Sequence, residues 1–381
     1  MRLHEYEALD IFEQNGIPVP RRGLASDMHE ALRVAGEIGY PVILKAQVLV
    51  GGRGLAGGIK TASTPDELKD VAEALLSSEI KGLPVLKILV CEKVDIANEL
   101  YLGFTIDGYS GRPVIVVSTE GGMLIEDTAK TAPEKIASYH IDPSFAFYPY
   151  QARLLLRRLN ISQKLITPWT DLISQLYNVV MRYEALICEI NPLAVRPNGG
   201  LIAVDAKLEV DDSALSRIRF PLPDRVARID NALERRGREI GVTYVDLEGD
   251  IGLISSGAGL GMASTDIIGE KMKPANFLET GGGITADLLY KCMELIMMKP
   301  GLRAIFINVY GGINPIHEGA KGVVRYIQEH NLKIPIVAKA LGNRQEETWE
   351  IFRSVGVHIV KEPATEKAIE LLYELVGRGQ Q

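Results

Sequence analysis

Lys45, Arg53, Glu189, Asn191 and Asp205 are the side chains whose types and surroundings suit chemistry on a polyphosphate. Arg53 sits inside VLVGGRGLAGGIK, residues 48–60, where Gly52-x-Gly54-x-x-Gly57 spells the dinucleotide-binding fingerprint. That fingerprint needs a strand before the glycines and a helix opening on them, so that a helix N-terminus meets the pyrophosphate. The strand is present in the Val-, Ile- and Leu-rich YPVILKAQVLV (40–50), which carries Lys45. The helix is not. GIKTASTPDEL runs on as a short extended segment and breaks at Ser-Thr-Pro before a helical pattern begins near Asp66. The Walker spacing fails as well, because no Gly-Lys-Ser/Thr follows. Strand, glycine-rich turn, strand predicts a hairpin whose tip can lie over phosphates, although such hairpins are also common without a ligand.

Glu189, Asn191 and Asp205 lie on a second predicted hairpin, ALICEINPLAVRPNGGLIAVDAKLEV (185–210), turned at Pro197-Asn198-Gly199-Gly200. Glu189 and Asn191 are two apart and share one strand face, and Asp205 on the returning strand can come opposite them. Acidic groups among apolar strand residues need a positive partner. Lys207, two residues from Asp205, is one such partner. Magnesium is the other: a hard ion held by one or two protein oxygens, with water and nucleotide phosphate completing its shell. Both remain open from the residues alone. With Lys45 and Arg53, the acid/amide hairpin would supply the parts of nucleotide-dependent phosphoryl transfer: cations, a flexible cover and a bridging metal.

The elements that must position these residues fall into two halves. From about Tyr244 the chain repeats strand then helix five times, with strands at 250–256, 274–280, 302–310, 334–341 and 357–362. Apolar strands alternating with helices predict a doubly wound parallel sheet with its ligand site at the carboxyl ends of the strands. Three glycine clusters fall at those ends, Gly257/Gly259, Gly281–Gly283 and Gly311/Gly312. Each is explained by tight turns alone, but together they form a rim of backbone N–H groups and helix N-termini suited to phosphate or carboxylate. The first half mixes helices (26–38, 66–77, 150–160, 170–185) with antiparallel strands at 85–94, 98–107 and 112–122. Residues 220–241, with two prolines and dense charge, are expected to link a domain over 1–240 to one over 241–381.

A net charge of −7 argues against nucleic acid as a partner. No run approaches a membrane span, and the charged N-terminus does not read as a signal peptide. Three scattered cysteines suit neither a disulfide framework nor a zinc site, so a reducing, cytoplasmic setting is expected.

LHEYEALDIFEQNGIPVP, KAQVLVGGRGLAGGIK, DIANELYLGF, CEINPLAV, DAKLEVDDSAL, PANFLETGGG and NVYGGI resemble, in order from residue 3 to about 375, the β subunit of succinyl-CoA synthetase (succinate–CoA ligase, ADP- or GDP-forming). The resemblance implies an N-terminal ATP-grasp domain followed by a flavodoxin-like CoA-ligase domain. It places Lys45, Gly52, Arg53, Gly54 and Glu99 at nucleotide-binding positions, with Glu92 at one where the family's acid shifts by a place. It assigns Asn191 and Asp205 to Mg²⁺, and Glu189 to steadying a phosphohistidine as it visits ATP or GTP. In the family that histidine belongs to a partner α subunit, which also holds most of the CoA. None of the six histidines here (His4, His29, His140, His317, His330, His358) matches it, so this chain is not expected to complete catalysis alone.

Ser256, Gly257, Gly312, Ile313 and Asn314 fall at the family's substrate- and phosphate-binding rim, where the small carboxylic acid docks. The family usually reads Asn-Gly-Ala-Gly where this chain has Ser256-Gly-Ala-Gly, and Gly-Gly-Ile-Val/Thr-Arg where it has Gly-Gly-Ile-Asn314-Pro315. Lys339 stands where Arg is usual, and lysine cannot copy the bidentate fork. These changes point to a substituted acid such as malate or citrate, with neutral drift as the plain alternative. A stand-alone ATP-grasp carboxylate–amine ligase leaves the second half unexplained. The phosphate and metal positions count against a non-enzymatic nucleotide or CoA sensor, and the missing helix after Gly57 against a NAD-dependent dehydrogenase.

Overall fold

The computed structural model describes residues 1–159, 161–229, 231–313 and 315–378. It forms two compact units, Met1–Pro223 and Asp224–Gln381.

The first unit holds α1 (Glu5–Gln14), β1 (Arg22–Ala25), α2 (Met28–Ile38), β2 (Val42–Ala46), β3 (Ile59–Ala62), α3 (Pro65–Leu76), a short ribbon of β4 (Glu79–Ile80) and β5 (Leu83–Pro84), and β6 (Ile88–Glu92). β2 and β3 pair antiparallel with Lys45 opposite Ile59, so the glycine stretch joins two strands and opens no helix. The sheet order is β1-β6-β2-β3. α2 and α3 cover it because each begins at a good cap: the Asp27 side chain accepts from Glu30 N–H, and Thr64 from Glu67 N–H with Pro65 next in line.

The second sheet is built from β7 (Asn98–Ile106), β8 (Pro113–Ser118), β9 (Ile136–His140), β10 (Ala185–Val195), β11 (Leu201–Ala203) and β12 (Lys207–Val210). Both β11 and β12 pair with β10, leaving Val204, Asp205 and Ala206 between them as an irregular link. Between β8 and β10 come α4 (Ile125–Thr131), α5 (Pro149–Leu156) and α6 (Gln163–Tyr183). α6 buries Trp169, Leu172, Ile173, Leu176 and Val179 in the core beneath this sheet. That spacing is the apolar stripe of an amphipathic helix.

In the second unit, α7 (Ala232–Ile240) precedes β13 (Thr243–Asp246), β14 (Ile251–Ser255), α8 (Ala258–Gly269), β15 (Asn276–Glu279), α9 (Ala286–Met297), β16 (Ala304–Gly311), α10 (Ile316–His330), β17 (Ile336–Gly342), α11 (Gln345–Arg353), β18 (His358–Ile359) and α12 (Thr365–Arg378). The sheet order is β13-β15-β14-β16-β17-β18. The five expected strands run parallel, and β13 adds a sixth, antiparallel to β15. Side chains alternate between two cores. Ile305 and Ile307 face α9, α10 and α11, whereas Ala304 and Phe306 face α8 and α12. The units part at Pro223/Asp224 and not after residue 240, because part of the expected linker is helix α7. Asn231 caps it, Gly241 ends it in the left-handed region, and Leu233 and Ile240 pack on the core that contains Tyr244.

Cys91 on β6, Cys188 on β10 and Cys292 on α9 are all buried and unpaired. Among the described residues no helix is long and apolar enough to cross a membrane.

Candidate active site

Four charged side chains from distant parts of the first unit meet in its interior. Lys45, near the end of β2, sends its ammonium to Glu5 Oε1 at 2.7 Å and to the Val204 carbonyl at 2.6 Å. Arg53, from the glycine loop, donates to Asp205 Oδ1 at 3.0 Å and the Ala46 carbonyl at 3.0 Å, and forms an ion pair with Glu5. Gln47 Nε2 adds a bond to Glu5 Oε2 at 3.1 Å. The loop can turn back this way because Gly52 lies at φ +71°, a conformation that a residue with a Cβ rarely adopts, and Gly58 N–H closes the turn onto the Arg53 carbonyl.

Two carboxylates and two cations balance. Burial works against the charged form of Glu5, but Lys45 and Arg53 outweigh it and hold the carboxyl well below its usual range. Burial, with the Glu5 charge adding to it, pushes Asp205 up to about 6 despite Arg53 and Lys45. Burial also opposes the charge on Lys45, yet Glu5 and Asp205 raise its pKa overall. Lys45 therefore stays an ammonium with three donors, of which two are used on protein oxygens.

A second cluster lies on β10. Glu189 and Asn191 share a face, with Asn191 Nδ2 3.4 Å from Glu189 Oε1 and 2.9 Å from the Met123 carbonyl. Asn191 Oδ1 accepts from Gly122 N–H at 2.9 Å. Burial raises the Glu189 pKa, partly offset by Lys207, whose ammonium is 3.9 Å away. Lys207 stands opposite Glu189 in the β10–β12 register, so it neutralises Glu189, while the cation on Asp205 is Arg53. The structure thus brings Glu189 and Asn191 together and seats Asp205 in the other cluster; no hydrogen bond joins Asn191 to Asp205 among the described residues.

Glu99 reaches the Asn191 cluster through Gly122. A Cβ on Gly122 would lie 2.1 Å from Glu99 Oε2, and the residue has φ +75°. Gly122→Ala combines a clash with a strained backbone, and we expect it to destabilise the first unit by about 1–3 kcal/mol. Urea unfolding measures it; Glu99 can swing aside, so the strain at φ +75° sets the effect, and an unchanged midpoint would mean that the backbone at residue 122 relaxes out of that conformation. Glu92 is engaged by Arg21 at 2.8 Å and Arg196 at 3.3 Å.

In the second unit Ser256 follows β14, and its Oγ accepts from Tyr310 N–H at 2.9 Å, bracing the ends of β14 and β16 together. Gly257 is the N-cap of α8, whose first N–H groups lack helical partners. Gly312 is exposed and Ile313 is 96% exposed, while Asn314 lies outside the described residues. Lys339 is buried beside Asn308 on the face toward α8 and α12; its ammonium donates to Thr365 Oγ1 at 3.2 Å, and burial lowers its pKa.

Two domain families match in sequence: an ATP-grasp domain over residues 2–195 and a CoA-ligase over 254–371. The chain is 40% identical over 378 residues, 99% of both chains, to the GDP-forming succinate–CoA ligase subunit β of Thermus thermophilus. This chain belongs to the succinate–CoA ligase β-subunit family. The ADP-forming succinate–CoA ligase subunit β of Methanothermobacter thermautotrophicus is also 40% identical, covering 98% of this chain and all of that one. Among solved structures, ATP citrate lyase from Methanothrix soehngenii superposes with a TM-score of 0.72 over 98% of this chain and 99% of that one. At 19% identity that likeness shows the fold alone.

Against the residues expected for a succinate–CoA ligase β subunit, the structure adds Glu5. It lies in the matched LHEYEALDIF stretch, where no local signal marks it as the partner of Lys45 and Arg53.

Proposed function

We propose that this chain is the nucleotide-binding subunit of an acid–CoA ligase, which converts a small carboxylic acid, CoA and ATP or GTP to acyl-CoA, nucleoside diphosphate and phosphate through a phosphohistidine on a partner α subunit. The observation that carries this reading is the meeting of Lys45, from β2, and Arg53, from the glycine loop, in one buried cluster. Preorganised cations of this kind stabilise the charge on a transferring phosphoryl group.

The remaining roles are those the family resemblance implies. The glycine loop 51–58 covers the phosphates with backbone N–H groups, and Glu99 and Glu92 line the nucleotide. Asn191 and Asp205 offer an amide and a carboxylate oxygen, the hard donor chemistry that Mg²⁺ takes one or two at a time; in this structure the two oxygens are held apart, by Gly122 N–H and by Arg53, and the ion would replace those partners. Bound there, Mg²⁺ would neutralise phosphate charge. Glu189, with its raised pKa, accepts a hydrogen bond from an imidazole presented by the partner. In the second unit the α8 N-terminus and the Ser256–Gly257 backbone receive an anion, either phosphate or the substrate carboxylate. CoA is held mainly by the partner.

Reconstitution with the α subunit tests this. The pair is expected to release phosphate in a nucleotide-, acid- and CoA-dependent manner, and the chain alone to bind Mg-nucleotide without forming acyl-CoA. Turnover by the homogeneous single chain would overturn the subunit assignment in favour of a self-contained ligase. The same assay compares succinate, malate and citrate. The replacements at Ser256, Asn314 and Pro315 favour an acid with a hydroxyl or a further carboxylate, because the amide of Asn314 is a donor and acceptor for such a group and a site built to hydrogen-bond it discriminates against analogues lacking it. A lead for succinate of roughly tenfold in kcat/KM, about 1.4 kcal/mol, would assign those replacements to drift.

A further inference from the structure

Glu5 carries none of the roles above, yet both phosphate-facing cations converge on it. Its side chain is 2% exposed. Lys45 binds one carboxylate oxygen, and Arg53 and Gln47 bind the other. The link runs further, since Gln47 Oε1 accepts from Tyr6 N–H at 3.2 Å, tying the first turn of α1 to the residue that follows β2. Helix, strand and glycine loop are thus joined at one carboxylate. Lysine and arginine are long, rotamer-rich side chains, and phosphoryl transfer depends on holding such cations in place before the nucleotide arrives.

We propose that Glu5 is a positioning residue of the nucleotide site: without touching the nucleotide, its buried carboxylate fixes Lys45 and Arg53 where they meet the phosphates. The proposal rests on the functional reading above. It goes further in separating two effects of one charge. As an anion, Glu5 opposes phosphate binding; as an anchor, it sets the geometry on which transfer depends. Removing the charge while keeping the shape should leave binding intact and slow the chemistry.

The test uses the reconstituted complex with Glu5→Gln and Glu5→Asp, and MgATP and MgGTP as probes. Calorimetry gives Kd, rapid quench gives the rate of partner phosphorylation at saturating nucleotide, and Tm is measured without nucleotide. For Glu5→Gln we expect a Kd unchanged within about threefold, or tighter, and a rate lower by roughly 10- to 100-fold, the scale on which small misplacements cost catalysis. Glu5→Asp keeps the charge one methylene further back and should recover part of the rate. A lowered Tm with a rate within about twofold of wild type reduces Glu5 to a structural ion pair and overturns the proposal; so does a rate loss matched by an equal rise in Kd. If Glu5→Gln does not fold, Glu5→Asp decides, and a wild-type rate from it overturns the proposal. A wild-type complex that binds neither nucleotide sinks the functional reading itself. That result is distinct from a working wild type whose Glu5→Gln variant works equally well.

Discussion

With Asp205 as a proposed Mg²⁺ ligand, Asp205→Asn is expected to lower nucleotide-dependent phosphorylation of the partner subunit by roughly 100-fold or more, the scale on which losing one preorganised charge contact at a phosphoryl group slows transfer. The fold should survive. An amide oxygen at 205 still accepts from Arg53 and from Ala206 N–H, and Glu5 remains to face both cations. On the proposed reading, what is lost is the only acidic donor of the pair assigned to Mg²⁺, Asn191 and Asp205, and a hard divalent ion binds a neutral donor pair more weakly. Phosphorylation followed against Mg²⁺ concentration, with circular dichroism as the control for folding, measures this. Near-normal phosphorylation at modest Mg²⁺ would return Asp205 to the role of counter-ion for Arg53.

Lys45→Met is expected to act on stability as well as on turnover. Removing one partner of a buried ion pair leaves an uncompensated charge and costs about 3–5 kcal/mol. For a unit of this size that corresponds to a fall in Tm on the order of 10 °C. Arg53 and Gln47 remain on the other Glu5 oxygen, so the effect should be severe without being total. The double variant with Glu5→Gln removes the stranded anion too, and its Tm should lie above that of Lys45→Met alone. Simple addition of the two losses would show that the pair is not coupled and that the cluster is held by its backbone contacts.

The sequence carried the local parts of this architecture. A β-branched run, glycines and a second extended run specify the β2–β3 hairpin whichever ligand lies beneath it. Apolar strands followed by glycine and a helix specify the parallel sheet. Two elements escaped for physical reasons. α7 has its Asn231 cap and Gly241 stop in plain view, but ALERRGREI is so charged that only Leu233 and Ile240 betray a buried side. β13 is a four-residue edge strand whose pairing with β15 runs against the direction of the rest of the sheet. At the site, Glu189 and Asn191 share a face because of a spacing of two, which any strand would give. Glu5 lies 40 residues from Lys45 and, like Arg53, is far from Asp205 along the chain, so nothing local encodes their meeting. The neutralising role of Lys207 toward Asp205 failed for the same reason: the irregular link after β11 turns Asp205 to Arg53 and leaves Lys207 opposite Glu189.

The three buried cysteines give the protein a set of internal clocks. Burial pushes the thiols of Cys91 and Cys292 up to about 12 and that of Cys188 well above its ordinary value. Thiolate, the form that reacts, is therefore scarce on the folded chain at neutral pH. An alkylating reagent must wait for the surrounding element to open, and its rate of capture then reports the free energy of that opening. Cys91 lies in the four-stranded sheet whose β2–β3 connection is the glycine loop, Cys188 in the strand that carries Glu189 and Asn191, and Cys292 in a helix of the second unit. One mass-spectrometric time course of alkylation would follow the breathing of all three without a substitution.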